Sequence, residues 1–222
     1  MNLTAAATCG SGVALRPVFL IVPGLAATVG ALTVLVLLPN DAAAAFALPV
    51  CQFTFAAAAA YLLDDPSAVL TDTVPGDRWR RRLTAAMPGL LLLGSLWLLI
   101  SFAVQPRLGT GGMTTASLET TALITISLAG AATRARHTAD PEPGSAIAPA
   151  VIAGGLAALL VEPLTGARLF VATGGDHRVS WSALFLIAAA ALAVESRDPA
   201  RRRRYRRAIT SRPELRSPRE TP

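Results

Sequence analysis

The chain has 222 residues, 53% of them hydrophobic and only 15% charged, with a formal net charge of +6. A mean hydropathy of +0.51 over that length excludes an ordinary soluble domain and indicates an integral membrane protein. All twenty basic residues are arginine, which excludes a phosphate-binding loop of the G-x-x-x-x-G-K-[ST] kind and Schiff-base chemistry, both of which need lysine.

An α-helix rises about 1.5 Å per residue, so ~20 apolar residues cross the hydrocarbon core. Six windows of about that size follow one another, and no strand-like alternation of barrel type occurs. The expected fold is all-α: a polytopic membrane protein with six transmembrane helices and both termini cytoplasmic. Residues 1–16 form a cytoplasmic segment containing Cys9. The first span, 17–38, is too long for the roughly 7–15-residue core of a signal peptide and has only Arg16 before it, so a retained helix is preferred. The second span, 42–63, carries Cys51, read as a buried structural thiol.

A polar stretch follows, "YLLDDPSAVLTDTVPGDRWRRRL", Tyr61–Leu83. Asp65 and Pro66 start a helix, the carboxylate accepting backbone N–H bonds and the proline occupying the first turn, where no donor is needed. "SAVLTDT" makes about two turns before Pro75 and Gly76 stop it. Asp77 then caps a second helix, "RWRRRLTAAM", whose Trp79 and arginines Arg78, Arg80, Arg81 and Arg82 sit at headgroup level. One reading is a cytoplasmic turn whose arginines only fix topology. The other is a short surface helix that docks a cytoplasmic partner, which better accounts for the cap.

The third span, 84–104, contains "GLLLLGSLWLLI". The fourth, 113–133, holds Glu119 about two turns in. A carboxylate in lipid is costly, so it is a functional candidate by default. The structural alternative, slightly preferred, has it facing the bundle interior, protonated or bonded to Thr115, Thr120 or Thr121, and merely orienting helices. The fifth span, 146–164, ends near Glu162 and Pro163, with Glu162 read as an interface residue. The sixth, about 179–194, is the shortest. Alanine and glycine runs at 42–45, 56–60, 154–158 and 188–193 give faces suited to close helix packing. The transmembrane domain thus covers 17–196, and 197–222 is a basic cytoplasmic tail.

Orientation follows from arginine. With six spans one side receives seventeen and the other only Arg107, Arg168 and Arg178, so the arginine-rich side is cytoplasmic. In the tail, six arginines within the seven positions 201–207 suit anionic lipid headgroups, at about 1 kcal/mol each; nucleic acid is not an expected partner. His137 and His177 fall on opposite faces, and Ser95, Ser101, Ser117 and Ser127 lie in spans without a histidine to activate them. No metal site or catalytic constellation is expected, and the chain is not read as an enzyme in itself.

Six spans, cytoplasmic termini and the loop "LLDDPSAVLTDTVPGDRWRRRL" ahead of an apolar helix resemble the permease subunits of ABC transporters, in particular small ABC-2-like permeases of actinobacteria. The resemblance implies a coupling helix at 65–73, including Asp65, Pro66, Val69, Leu70 and Asp72, with Arg78–Arg82 as its membrane-side anchor. It implies a separate ATP-binding cassette subunit that carries ATP and Mg, this chain holding no cofactor, and pairing as a homodimer or with a second permease in the plasma (inner) membrane. Export is favoured over import, since no feature suits a substrate-binding protein. The rival readings are a nontransporting scaffold or signalling partner and an ion-coupled carrier using Glu119. Between spans five and six, "TGARLFVATGGDHRVS" allows one brief apolar dip, 169–172.

Overall fold

The computed structural model describes residues 41–64, 78–137, 142–166, 168–171 and 177–195. Among these residues the regular structure is α-helical and there is no strand. Four elements follow in chain order: α1 (Asp41–Tyr61), α2 (Arg78–His137), α3 (Gly144–Thr165) and α4 (Arg178–Glu195). The predicted first span, the cytoplasmic segment before it, the predicted coupling helix at 65–73 and the basic tail lie outside the described residues.

Helix α2 replaces two predicted spans and the loop between them. Sixty residues of straight helix would reach about 90 Å, but the backbone breaks at Gly109 (φ 67°, ψ 175°), a conformation that a side chain would oppose. Trp97 Nε1 donates to Ser117 Oγ at 3.2 Å. Residues that far apart in a straight helix would be separated by about 30 Å, so the limbs 78–108 and 110–137 fold back as a hairpin. The expected connector at 105–112 is helical on both sides of one residue. In lipid, helical bonding is carried as close to the turn as sterics permit, because unpaired backbone there has no water to meet.

Among the described residues three helices are long and apolar enough to cross a membrane: Thr84–Pro106, Gly144–Thr165 and Arg178–Glu195. They mark the chain as a membrane protein. The predicted second span is present as α1, Asp41–Tyr61. The predicted fourth span falls in the 110–137 limb, whose threonines and serines lower its apolar character. Thr120, Thr121, Thr125 and Thr133 donate back to carbonyls one turn earlier, at 2.7–2.9 Å, which satisfies each hydroxyl within its own helix.

The core sits on α1. Ala56–Ala60, none more than 7% exposed, let neighbours approach closely on every side. Leu48, Cys51, Phe55 and Leu62 pack against Ala86, Leu93, Trp97 and Ile100 of the first limb and Ala116 of the second, with the Phe55 and Trp97 rings edge to face at 6.0 Å. Helix α3 packs on α1: Gly144 N donates to Asp64 Oδ1 at 2.6 Å, and a Cβ at Gly144 would come within 2.7 Å of the Ala60 carbonyl oxygen. Helix α4 packs on α2. Arg178 bonds Thr115 Oγ1 and the Gly111 carbonyl at one end, and Arg136 pairs with Glu195 at 3.0 Å at the other. Among the described residues the backbones of α3 and α4 stay more than 8 Å apart, Cα to Cα.

Candidate functional site

Past α3 the chain turns back into the bundle. Gly166 closes the helix in the left-handed conformation (φ 69°), the usual way to satisfy the last carbonyls. Residues 168–171 then run between helices largely without helical bonding, so their N–H groups need partners from elsewhere. Glu162, in the last turn of α3, accepts from Leu169 N, and from Phe170 N at 3.1 Å. Glu119 Oε1, on the second limb of α2, accepts from Val171 N at 2.8 Å. The Leu169 carbonyl receives Trp181 Nε1 at 3.2 Å. Two buried carboxylates and one indole thus hold three successive peptide units.

Glu119 is 1% exposed, and its second oxygen accepts from Gln52 Nε2 of α1 at 3.1 Å. The same nitrogen donates to the Ala116 carbonyl at 3.1 Å. Both contacts are acceptors, which fixes the amide with its nitrogen toward them; its Oε1 is buried with no partner among the described residues. The carboxylate therefore joins α1, α2 and the 168–171 segment at one point. The interior placement expected for Glu119 holds, but its partners are not the neighbouring threonines. Thr120 and Thr121 turn to their own helix, and Thr115 engages Gly111 and Arg178.

Glu162 also departs from expectation. Read as an interface residue, it is 6% exposed and turned inward to the 168–171 backbone. Phe170 fills the space this creates, with its ring edge-on to Phe53 at 5.4 Å and tilted against Trp181 at 5.8 Å. Gly155 makes room for Phe53, since a Cβ there would lie 2.4 Å from the ring. Gln52 and this aromatic cluster were missed by sequence reasoning. A glutamine inside the apolar run "ALPVCQFTFAAAA" is the signal that could have found the first.

Beside the cluster, the gap between α3 and α4 forms an apolar groove of ≈780 Å³. Phe53, Leu123 and Ile126 line it from α1 and α2, Gly154 and Ala158 from α3, and Trp181 and Leu184 from α4; His177 and Ser180 bring polar atoms to one end. Among the described residues no group of histidine, cysteine and acidic side chains could hold a metal ion. Of the proposed coupling residues, Asp65, Pro66, Val69, Leu70 and Asp72 lie outside the described residues, while Arg78 and Arg80 fall in the first turn of α2. Compared with known proteins, the chain matches no family model, no curated protein and no solved structure.

Proposed function

We propose that the protein is the transmembrane permease subunit of an ATP-driven transporter of the plasma membrane, acting as an exporter. The observation that carries the transport reading is the Glu119 centre. A buried carboxylate holds non-helical backbone inside a bundle of membrane helices, beside an apolar groove. Ionisable groups and unwound backbone at membrane depth are expensive and recur along substrate paths. A bundle needed only as an anchor could close the same space with leucine.

Coupling rests on the loop resemblance. In this reading residues 65–73 seat in a separate ATP-binding subunit that carries ATP and Mg, Arg78 and Arg80 anchor the loop at the headgroups, and closure of the ATPases switches access of a paired permease. Val69 and Leu70 are the anchors of that contact, as apolar residues are where a helix seats in a groove. Val69→Asp or Leu70→Asp places an unpaired charge there. Detergent pull-down and transport by equally expressed variants should show ATPase retention and transport falling together, with Arg80→Ala milder. Normal retention and transport in both aspartate variants would return the loop to a cytoplasmic turn, whereas reproducible absence of an ATPase from the purified native complex, with another partner present, would favour the scaffold reading. An ion-coupled carrier is less well supported, since both Glu119 oxygens are already engaged. Loss of transport on ATP depletion, with transport intact in Glu119→Gln, would remove it.

A further inference from the structure

We infer that the groove between α3 and α4 binds the hydrocarbon tail of a single-chain amphiphile taken sideways from the bilayer. Its role as a substrate seat rests on the permease reading; the binding itself does not. Both walls are helices apolar and long enough to span a membrane, so what faces the gap between them is hydrocarbon rather than water. The groove is open on that side: Ile126, Leu169 and Leu184 in its lining are 37%, 39% and 42% exposed. Its ≈780 Å³ falls within the roughly 300–1,000 Å³ typical of ligand sites.

Shape decides what kind of occupant fits. The lining follows α3 from Ile147 to Ala158, a rise of about 16 Å and close to the ~15 Å depth of one leaflet. An extended hydrocarbon chain matches that length and the apolar lining. His177 and Ser180 at one end, with exposed Arg168 next to Leu169, give a polar headgroup somewhere to rest.

Trp181 is a built-in reporter, lining the groove yet only 9% exposed. With Trp79→Phe and Trp97→Phe it becomes the sole tryptophan of the three. Dibromostearate added to the purified protein in unbrominated lipid should quench it saturably, and unlabelled stearate should reverse the quenching. A Cβ at Gly154 meets nothing within 4 Å, so Gly154→Leu has open space at its first carbon, places bulk in the groove and should weaken apparent affinity at least tenfold. Gly94 is equally open but lies outside the groove; Gly94→Leu should leave the quenching unchanged and so controls for folding. Non-saturable quenching, or the same curve in both leucine variants, would overturn the inference. So would an intrachain disulfide joining Leu184→Cys to a cysteine placed within residues 17–38. Either failure leaves ATPase capture by the 65–73 loop untouched. Loss of that capture with saturable quenching intact would defeat the permease reading and keep the tail site.

Discussion

The two helical regions that differ most are the interior pair, α1 with the 110–137 limb, and the peripheral helices α3 and α4 with the 78–108 limb. The peripheral helices are apolar enough to span a membrane, yet only 17%, 22% and 6% of the apolar windows in the first limb, α3 and α4 are buried. The interior pair carries Gln52, Glu119 and most of the threonines, and is the more buried. In water the order would be reversed. In a bilayer apolar side chains gain little by leaving lipid, so small residues and polar groups that need partners take the interior. Here apolar length marks the helices that touch lipid, and buried polar and small residues mark the core.

The largest effect that can break this comparison is at the shared carboxylate. Glu119→Leu would leave the Val171 N–H without its acceptor and the Gln52 amide with only the Ala116 carbonyl, and we expect a loss on the order of 3 kcal/mol in thermal or denaturant unfolding in detergent. Glu119→Gln retains an acceptor and should lose about 1 kcal/mol. Equal, negligible losses would mean that the polar centre does not organise the interior.

Adjacent glycines sharpen the contrast within a single turn of α3. Gly155→Ala drives a methyl into the Phe53 ring, whereas Gly154→Ala points into open space. The first should destabilise by roughly 1–3 kcal/mol and the second by nothing measurable, as read from unfolding of the two variants side by side. The smallest effects belong to the lipid face. Leu98, Leu186 and Ile187 are 60–67% exposed, so Leu98→Ala, Leu186→Ala and Ile187→Ala should each stay within about 0.5 kcal/mol of the parent.

Much of the architecture was legible from apolar run length alone: the windows at 84–104, 146–164 and 179–194 fall within helices of membrane-spanning length. The turn between the third and fourth spans does fall within 105–112, but the backbone confines it to Gly109 and is helical on both sides. Glu119 stood out as a charge among apolar residues. Its partners did not, since Gln52 and the N–H of Val171 come from segments 67 and 52 residues away, and nothing local encodes such a meeting. Glu162 was misread for the same reason: its place near a helix end suggested water, but the backbone it serves folds back over it.

The central claim is that a buried polar pair is wrapped by apolar helices that face lipid. Photolabelling the unmodified protein in liposomes with a membrane-soluble diazirine, followed by peptide mass spectrometry, tests it without perturbing a single residue. The account predicts adducts on Leu98, Leu99, Leu186 and Ile187, and none on Gln52, Ala56, Ala59, Glu119 or Ala122, which are fully buried or nearly so. Strong labelling of the second group with protection of the first would contradict it.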